Sequence, residues 1–349
     1  MASYTTIDNL AQFFNTILYT GNSSTQSITG LGHQPDFVWI KDRLGATSVY
    51  SHHLFDSVRG ATKYVLANEQ DAEATVSTTL TSFDSDGFSL GSDASTNASG
   101  DPTVAWCWKA GGSSSSNSDG SVTSTVSANT TSGFSIAEFT GSGSNLTIGH
   151  GLGVKPDFIM LKCTSSSSTD WTCYHSSLGA TKRIKLNVDD AASTNSTTWQ
   201  DTEPTTSVIS VGTSGDVNVS SGTHIVYSFA NKQGAVKCGS FTGNGNDNGT
   251  FVHTGFRPAW TMIKCTSAAD HWPIDDNKRS TSNLMQNTLR ANLSNGEYTG
   301  SAYGIDFLSN GFKVRNDDGQ YNLSGGTFVY MAFAESPFVN SNGVPNNAR

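Results

Sequence analysis

One pattern of polar and apolar positions recurs along the chain. Gly30-Leu31-Gly32-His33-Gln34-Pro35-Asp36 is a turn, and Phe37-Val38-Trp39-Ile40 is a short apolar run closed by Lys41. Gly151-Leu152-Gly153 through Pro156-Asp157 and Phe158-Ile159-Met160-Leu161-Lys162 repeat it. Gly255-Phe256-Arg257-Pro258 and Ala259-Trp260-Thr261-Met262-Ile263-Lys264 repeat it again, less faithfully. Each time Lys stands six residues after Pro, and the three Pro lie 121 and then 102 residues apart. Solenoid units are shorter, roughly 20–50 residues, so the pattern marks a domain copied three times. Four apolar residues rich in aromatic and β-branched side chains are too few for a helix, and they predict a strand buried on both faces.

The rest of each copy reads as more short strands. Ser82 to Leu90 predicts a hairpin around Asp86-Gly87, and Asp306 to Val314 one around Asn310-Gly311. The most apolar strand closes each copy: Val104-Ala105-Trp106-Cys107-Trp108, Ile225-Val226-Tyr227-Ser228-Phe229 and Val329-Tyr330-Met331-Ala332-Phe333. Clean alternation in Phe134 to Phe139, beside runs with none, predicts two packed sheets. The expected fold is all-β: three tandem β-sandwich domains, jelly-roll-like, from an internal repeat, with a short N-terminal helix.

The expected boundaries are an N-terminal segment over 1–16, repeats over 17–111, 133–232 and 235–338, a Ser/Gly/Thr linker over 112–132 and a polar tail over 339–349. In the first segment Ile7, Leu10, Phe13 and Phe14 are spaced as one face of a helix capped by Asp8. That face packs on the first domain or anchors the chain in a partner. The short join between the second and third copies predicts that these two form a rigid pair.

Composition supports this reading. Charged residues are only 14% and the net charge is −9, so no basic patch exists for nucleic acid. Hydrophobic residues at 35%, with 35 Gly and 8 Pro, suit short strands and many turns. No apolar run approaches the roughly 18 residues that predict a membrane-spanning helix. The start at Met1 has no basic residue and no apolar core of an export leader. Five Cys without a Cys-x-x-Cys pair are read as reduced and buried.

Candidate chemistry is sparse. Lys41, Lys162 and Lys264 form equivalent positions for an anionic ligand, or they simply carry strand ends back to solvent. Asp84 to Gly87 and Asn244 to Gly249 alternate oxygen-bearing side chains as a calcium loop does, yet sit where hairpin turns are needed. His52 and His53 beside Asp56 read as surface histidines rather than zinc ligands. Asp36 and Asp157 follow Pro and read as turn formers rather than paired acids for glycoside cleavage. No Ser stands in a nucleophile elbow. Trp39, Trp106, Trp108 and Trp260 fall in core strands. Trp171, Trp199 and Trp272 fall near loops and are the candidate glycan or receptor contacts. No catalytic, cofactor-binding or metal-binding residue is assigned.

Several motifs together resemble a family of repeat proteins carried by tailed marine bacteriophages of the cyanophage type. They are Tyr19-Thr20-Gly21-Asn22, Gly30 to Lys41, Phe55-Asp56-Ser57-Val58-Arg59-Gly60-Ala61-Thr62-Lys63, Ser82 to Leu90, Ala105 to Gly111, and Tyr330 to Phe338. The resemblance spans the chain, including Asn347-Ala348-Arg349, and is weakest in the third copy, where Asp275 to Arg279 replaces the Gly-Ala-Thr-Lys segment. It implies a protein of a phage particle and identifies no position on it; the leading expectation is a non-enzymatic virion protein on the particle surface, a tail-fibre or receptor-binding component. The alternatives are a capsid-decorating protein that clamps neighbouring subunits and, ranked below it, a polysaccharide depolymerase. The implied partners are other virion proteins and host surface glycan, in an oligomeric setting without nucleic acid or membrane insertion. The implied location is the virion surface, after synthesis in the host cytoplasm and release by lysis.

Overall fold

A computed structural model describes residues 5–44, 49–300 and 303–346. Asn347 to Arg349 of the expected tail lie outside them. Each copy of the repeat is one large antiparallel sheet backed by a small one. In the first copy the large sheet runs Phe14–Thr20, Pro102–Trp108, Phe37–Asp42, His53–Asp56, Lys63–Leu66, Ala74–Thr75. The small sheet runs Gln26–Thr29, Gly87–Leu90, Leu80–Asp84. The third copy has the same order with Val236–Thr242, Thr327–Pro337, Phe256–Cys265, Pro273–Asp276, Asn287–Arg290 and Tyr298–Thr299. In the second, Phe134–Thr140, Thr223–Phe229, Phe158–Cys163, Thr172–His175, Lys182–Lys185 and Ser193–Thr194 follow that order, and the small sheet is Leu146–Gly149 with Val208–Val211.

The period of two along a strand explains why the central strands are apolar on both faces. Phe37 and Trp39 point into one core, Val38 and Ile40 into another. Likewise Val104, Trp106 and Trp108 face the first core, while Ala105 and Cys107 face the second. The second core lies between the large and small sheets of one copy. The first core is shared by all three copies, whose large sheets turn one face toward a common centre. At that centre the Phe14 ring lies 4.6 Å from Phe333 and 5.0 Å from Trp108. Trp108 lies 5.9 Å from Trp260 and 6.2 Å from Phe229.

The copies close into a ring by repeating one contact. The Glu73 amide donates to Thr164 O at 2.7 Å, that of Ala192 to Thr266 O at 3.0 Å, and that of Glu297 to Arg43 O at 2.8 Å. The first joins copies one and two, the next two and three, and the last three and one. A head-to-tail interface that returns to its start after three steps is a closed threefold arrangement. The second and third copies are therefore no more a pair than any other two.

Two expectations need correction, and the tail gains a place. The short N-terminal helix is present, but its cap is Asn9 rather than Asp8 and its apolar face is buried. A 3-10 turn, Leu10–Gln12, is capped by Asn9, and a strand begins at Phe14. Ile7, Leu10 and Phe14 are buried in the shared core and Phe13 packs against it, so this face is spent inside the chain rather than offered to a partner. The stretch 112–132 is not only a linker. Its Ser124–Asn129 pairs with Phe134–Phe139, and Ser115–Asn117 pairs outside that, extending the second copy's sheet. The polar tail folds back on the chain: the amide of Ser341 donates to Asp8 Oδ1 at 2.7 Å, and the Asn346 side chain to Ser336 O at 3.2 Å.

Candidate functional site

The polar side chains that distinguish this chain gather at the three seams. Trp171 and Trp272 are buried there, and Trp199 lies within the second copy's own core. Trp171 Nε1 donates to Leu66 O of the first copy at 2.8 Å, and Trp272 Nε1 to Lys185 O of the second at 2.9 Å. None of the three presents a ring face to a glycan. The Trp171 and Trp272 loops fold inward because an indole at a seam buries a large apolar area and still finds an acceptor for its N–H.

His52 completes this set at the third seam. It is fully buried, which pushes its imidazole well below the usual histidine range, with Lys41 adding to the effect. Trp39 Nε1 donates to His52 Nδ1 at 2.8 Å, so the proton sits on Nε2 and points at Arg290 O, 3.0 Å away. His53 is buried too, and burial lowers it to about 4. Neither is a surface histidine. Among the described residues no group of three or more His, Cys, Asp or Glu is placed to hold a metal.

The repeated lysines are also interior. Lys41, Lys162 and Lys264 are fully buried, and burial pushes each down to about 8. Lys162 Nζ donates across a seam to Gln70 O at 2.8 Å and to Thr169 O of its own copy. Lys264 Nζ reaches Asp189 O at 2.8 Å and Asp270 O at 2.6 Å. These two clamp seams through carbonyls, and strand ends that go back to solvent would not. All five Cys are buried and free.

A second layer of seam contacts uses charge. Arg59 and Asp56 form a buried ion pair at 2.5 Å, and Tyr227 of the second copy donates to Asp56 Oδ2 at 2.7 Å. Arg279 and Asp276 repeat it at 2.6 Å, with Trp106 Nε1 donating to Asp276 Oδ2 at 3.0 Å. At the remaining seam His175 and Leu178 take those places. The Ser177 amide donates to His175 Nδ1, leaving His175 Nε2 to donate to Tyr330 O at 3.1 Å.

The turns behave as the sequence indicates. Asp36 accepts from Ser57 Oγ at 2.9 Å and the Ala110 amide at 2.8 Å; Asp157 accepts from Ser176 Oγ and the Asn231 amide. Asp86 accepts from the amides of Gly30 and Gly32, whose positive φ of 94° and 82° glycine adopts without strain. Asp84 accepts from the Ser82 and Ser89 hydroxyls, so this loop's oxygens serve the protein itself. At one end of the ring, buried Asn97, Asn218 and Asn322 each staple the loop after their copy's first repeat strand. Their Oδ1 atoms accept from the amides of Asn22, Ser142 and Asn244 at 2.8–2.9 Å.

Sequence reasoning overlooked a cleft of about 430 Å³ between copies one and two. It is lined by Lys63, Ala72 and Glu73 from one side and Glu138, Thr164, Ser165 and Thr223 from the other. Glu73 is held by Lys63 at 3.3 Å and Arg59 at 3.4 Å. Glu138 is half-buried, and burial, then Asp56 and Glu73, raise its carboxyl above the usual range. The available sign was the divergence between copies: Glu138 stands where the others have Leu18 and Ser240.

No curated protein matches the sequence. A family model described as a domain of unknown function, DUF7483, matches residues 9–337, nearly the whole chain and all three copies together. The chain belongs to the DUF7483 family.

Proposed function

We propose that the chain is a non-enzymatic structural protein of a tailed phage particle's surface, a tail-fibre or receptor-binding component. The observation that carries this reading is the closed ring. One chain builds the trimer-like head that separate subunits would otherwise assemble, with a continuous core and side chains clamping its seams. Three stapled loops at one end of such a head form a rigid platform, the arrangement on which binding loops are commonly displayed. The motif resemblance supplies the phage setting.

The pseudo-threefold symmetry also favours the second reading, a capsid-decorating or appendage protein seated on a threefold axis and clamping neighbouring subunits. Each copy would meet an equivalent neighbour, and the unequal seams would fix one orientation. Image reconstruction of the whole particle with the chain labelled tests both. Density at fibre tips, with adsorption of the purified chain to host cells, supports the first. Density on capsid threefold axes, with firm binding to empty capsids, supports the second. A particle without the chain overturns both.

A further inference from the structure

Among the described residues, the cleft between the first and second copies has no counterpart with the same chemistry at the other seams. At the second seam Ala192 stands in place of Glu73 and Ser240 in place of Glu138, and the nearest cavity is lined by Arg183, Lys185, Asp190 and Ala192. At the third, Glu297 is retained, paired with Arg43 at 2.8 Å, and Leu18 replaces Glu138. Among the described residues, only the first seam sets a carboxylate from each of two copies around one opening. A volume of about 430 Å³ at a domain junction is within the range of small-ligand sites.

The groups in this cleft are unevenly satisfied. Glu73 has Lys63 and Arg59, and Asp56 has Arg59 and Tyr227. Among the described residues no hydrogen-bond donor or ion-pair partner meets the Glu138 carboxylate, although burial already works against its charge. Its oxygens face the solvent of the cleft and are free to accept charge-assisted hydrogen bonds from a ligand. Thr164 Oγ1 donates to Thr223 O at 3.1 Å and keeps its lone pairs free. Ser165 Oγ accepts from the Thr223 amide at 3.0 Å and lies 3.6 Å from Cys163 Sγ; with the thiol as donor in that contact, the Ser165 proton is left to give. Lys63 is partly exposed at the rim. Two carboxylate acceptors, two hydroxyls and one ammonium match a molecule that presents several hydroxyls on a rigid frame. The excess of acid over base selects against an anionic one.

We propose that this cleft binds a neutral or amine-bearing saccharide unit, whose hydroxyl or ammonium groups donate to Glu138 and Glu73 and whose oxygens accept from Lys63 and Ser165. The inference rests on reading the chain as a surface-recognition protein and gives that recognition a place. Calorimetric titration of the full chain tests it with three probes: a neutral gluco-oligosaccharide, a glucosamine oligomer and a uronate oligomer. The expected result is saturable binding of the neutral or the amine-bearing probe and none of the uronate. Glu138→Gln should weaken binding about tenfold, the loss of one charge-assisted hydrogen bond. Ser240→Ala, at the equivalent place in the third copy, should leave it unchanged. Binding should also weaken as pH falls and Glu138 takes up a proton in the field of Asp56, Glu73, Arg59 and Lys63, and Glu138→Gln should reduce that dependence. An unaltered or raised unfolding midpoint in Glu138→Gln shows that the fold is kept. Absence of binding by every probe at millimolar concentration, preference for the uronate, or equal binding by wild type and Glu138→Gln would overturn the proposal. The outcome is independent of position on the particle: a virion-bound chain that ignores all three probes sinks the cleft alone.

Discussion

Asp275 lies fully buried in the third copy, accepting from Thr288 Oγ1 at 2.6 Å and Tyr321 OH at 2.9 Å. Burial pushes its carboxyl up to about 7, against the pull of Thr288 and Arg279. The folded value therefore exceeds the unfolded one, about 3.9. The protonated form contributes stability that is fully present below pH 4 and is lost as pH rises through about 7. We expect the urea midpoint to fall between pH 4 and pH 8, by a few kcal/mol in free energy if this group dominates. Asp275→Asn, which mimics the protonated acid, should flatten that fall, and an identical pH profile in the variant would refute the assignment. Nothing in the sequence marked this site, because the charge of an Asp in Pro-Ile-Asp-Asp depends on which core its side chain enters. The same blindness affected Trp171 and Trp272. Their neighbours in sequence are polar, yet their rings fill seams made by residues about 100 positions away.

Strands and their turns were legible at the scale of elements, since turn residues and the period of two are local properties. What covers a sheet edge is not local. In the second copy Ser124–Asn129 covers the edge strand Phe134–Thr140, though its Ser- and Thr-rich composition read as a linker. The equivalent strands Phe14–Thr20 and Val236–Thr242 remain at sheet edges. An uncovered edge is a template for pairing with another chain, and side chains often blunt it. Asn231 does so here: its Oδ1 accepts from the Cys238 amide at 2.5 Å and its Nδ2 reaches Cys238 O at 3.5 Å. Asn15 Oδ1 similarly takes the Thr16 amide at 3.0 Å. Asn231→Ala should cost about 1–2 kcal/mol. It should also raise self-association in sedimentation velocity, whereas a strictly monomeric variant would show that Asn231 has no protective role. The N-terminal segment is the converse case. Its spacing suggested a helical face, but Phe14 alternates with its neighbours as a strand residue and enters the shared core.

The molecule as a whole is held by faces that no single copy reveals. A copy read alone shows a strand buried on both sides without saying what lies on the second side; the answer is the other two copies. One core drawn from all three repeats predicts a single cooperative unfolding transition rather than three. The charged seams give a way to perturb it. Arg59→Leu places at the first seam the residue found at Leu178 but leaves Asp56 buried with only Tyr227 and backbone donors. Losing one partner of a buried ion pair costs about 3–5 kcal/mol. Adding Asp56→His and Tyr227→Met imports the remaining chemistry of the second seam, where His175 donates to a carbonyl and Met331 stands in Tyr227's position. The triple variant should recover at least half of that loss, because the unpaired charge is gone and the new histidine is neutral when buried. Denaturant titration followed by both tryptophan fluorescence and far-ultraviolet dichroism checks this. If the ring is one cooperative unit, both signals shift together in the single and triple variants. Were Arg59→Leu to split off a separate transition for the first copy, the copies would be independent sandwiches in contact, and the closed ring would not be what stabilises the chain.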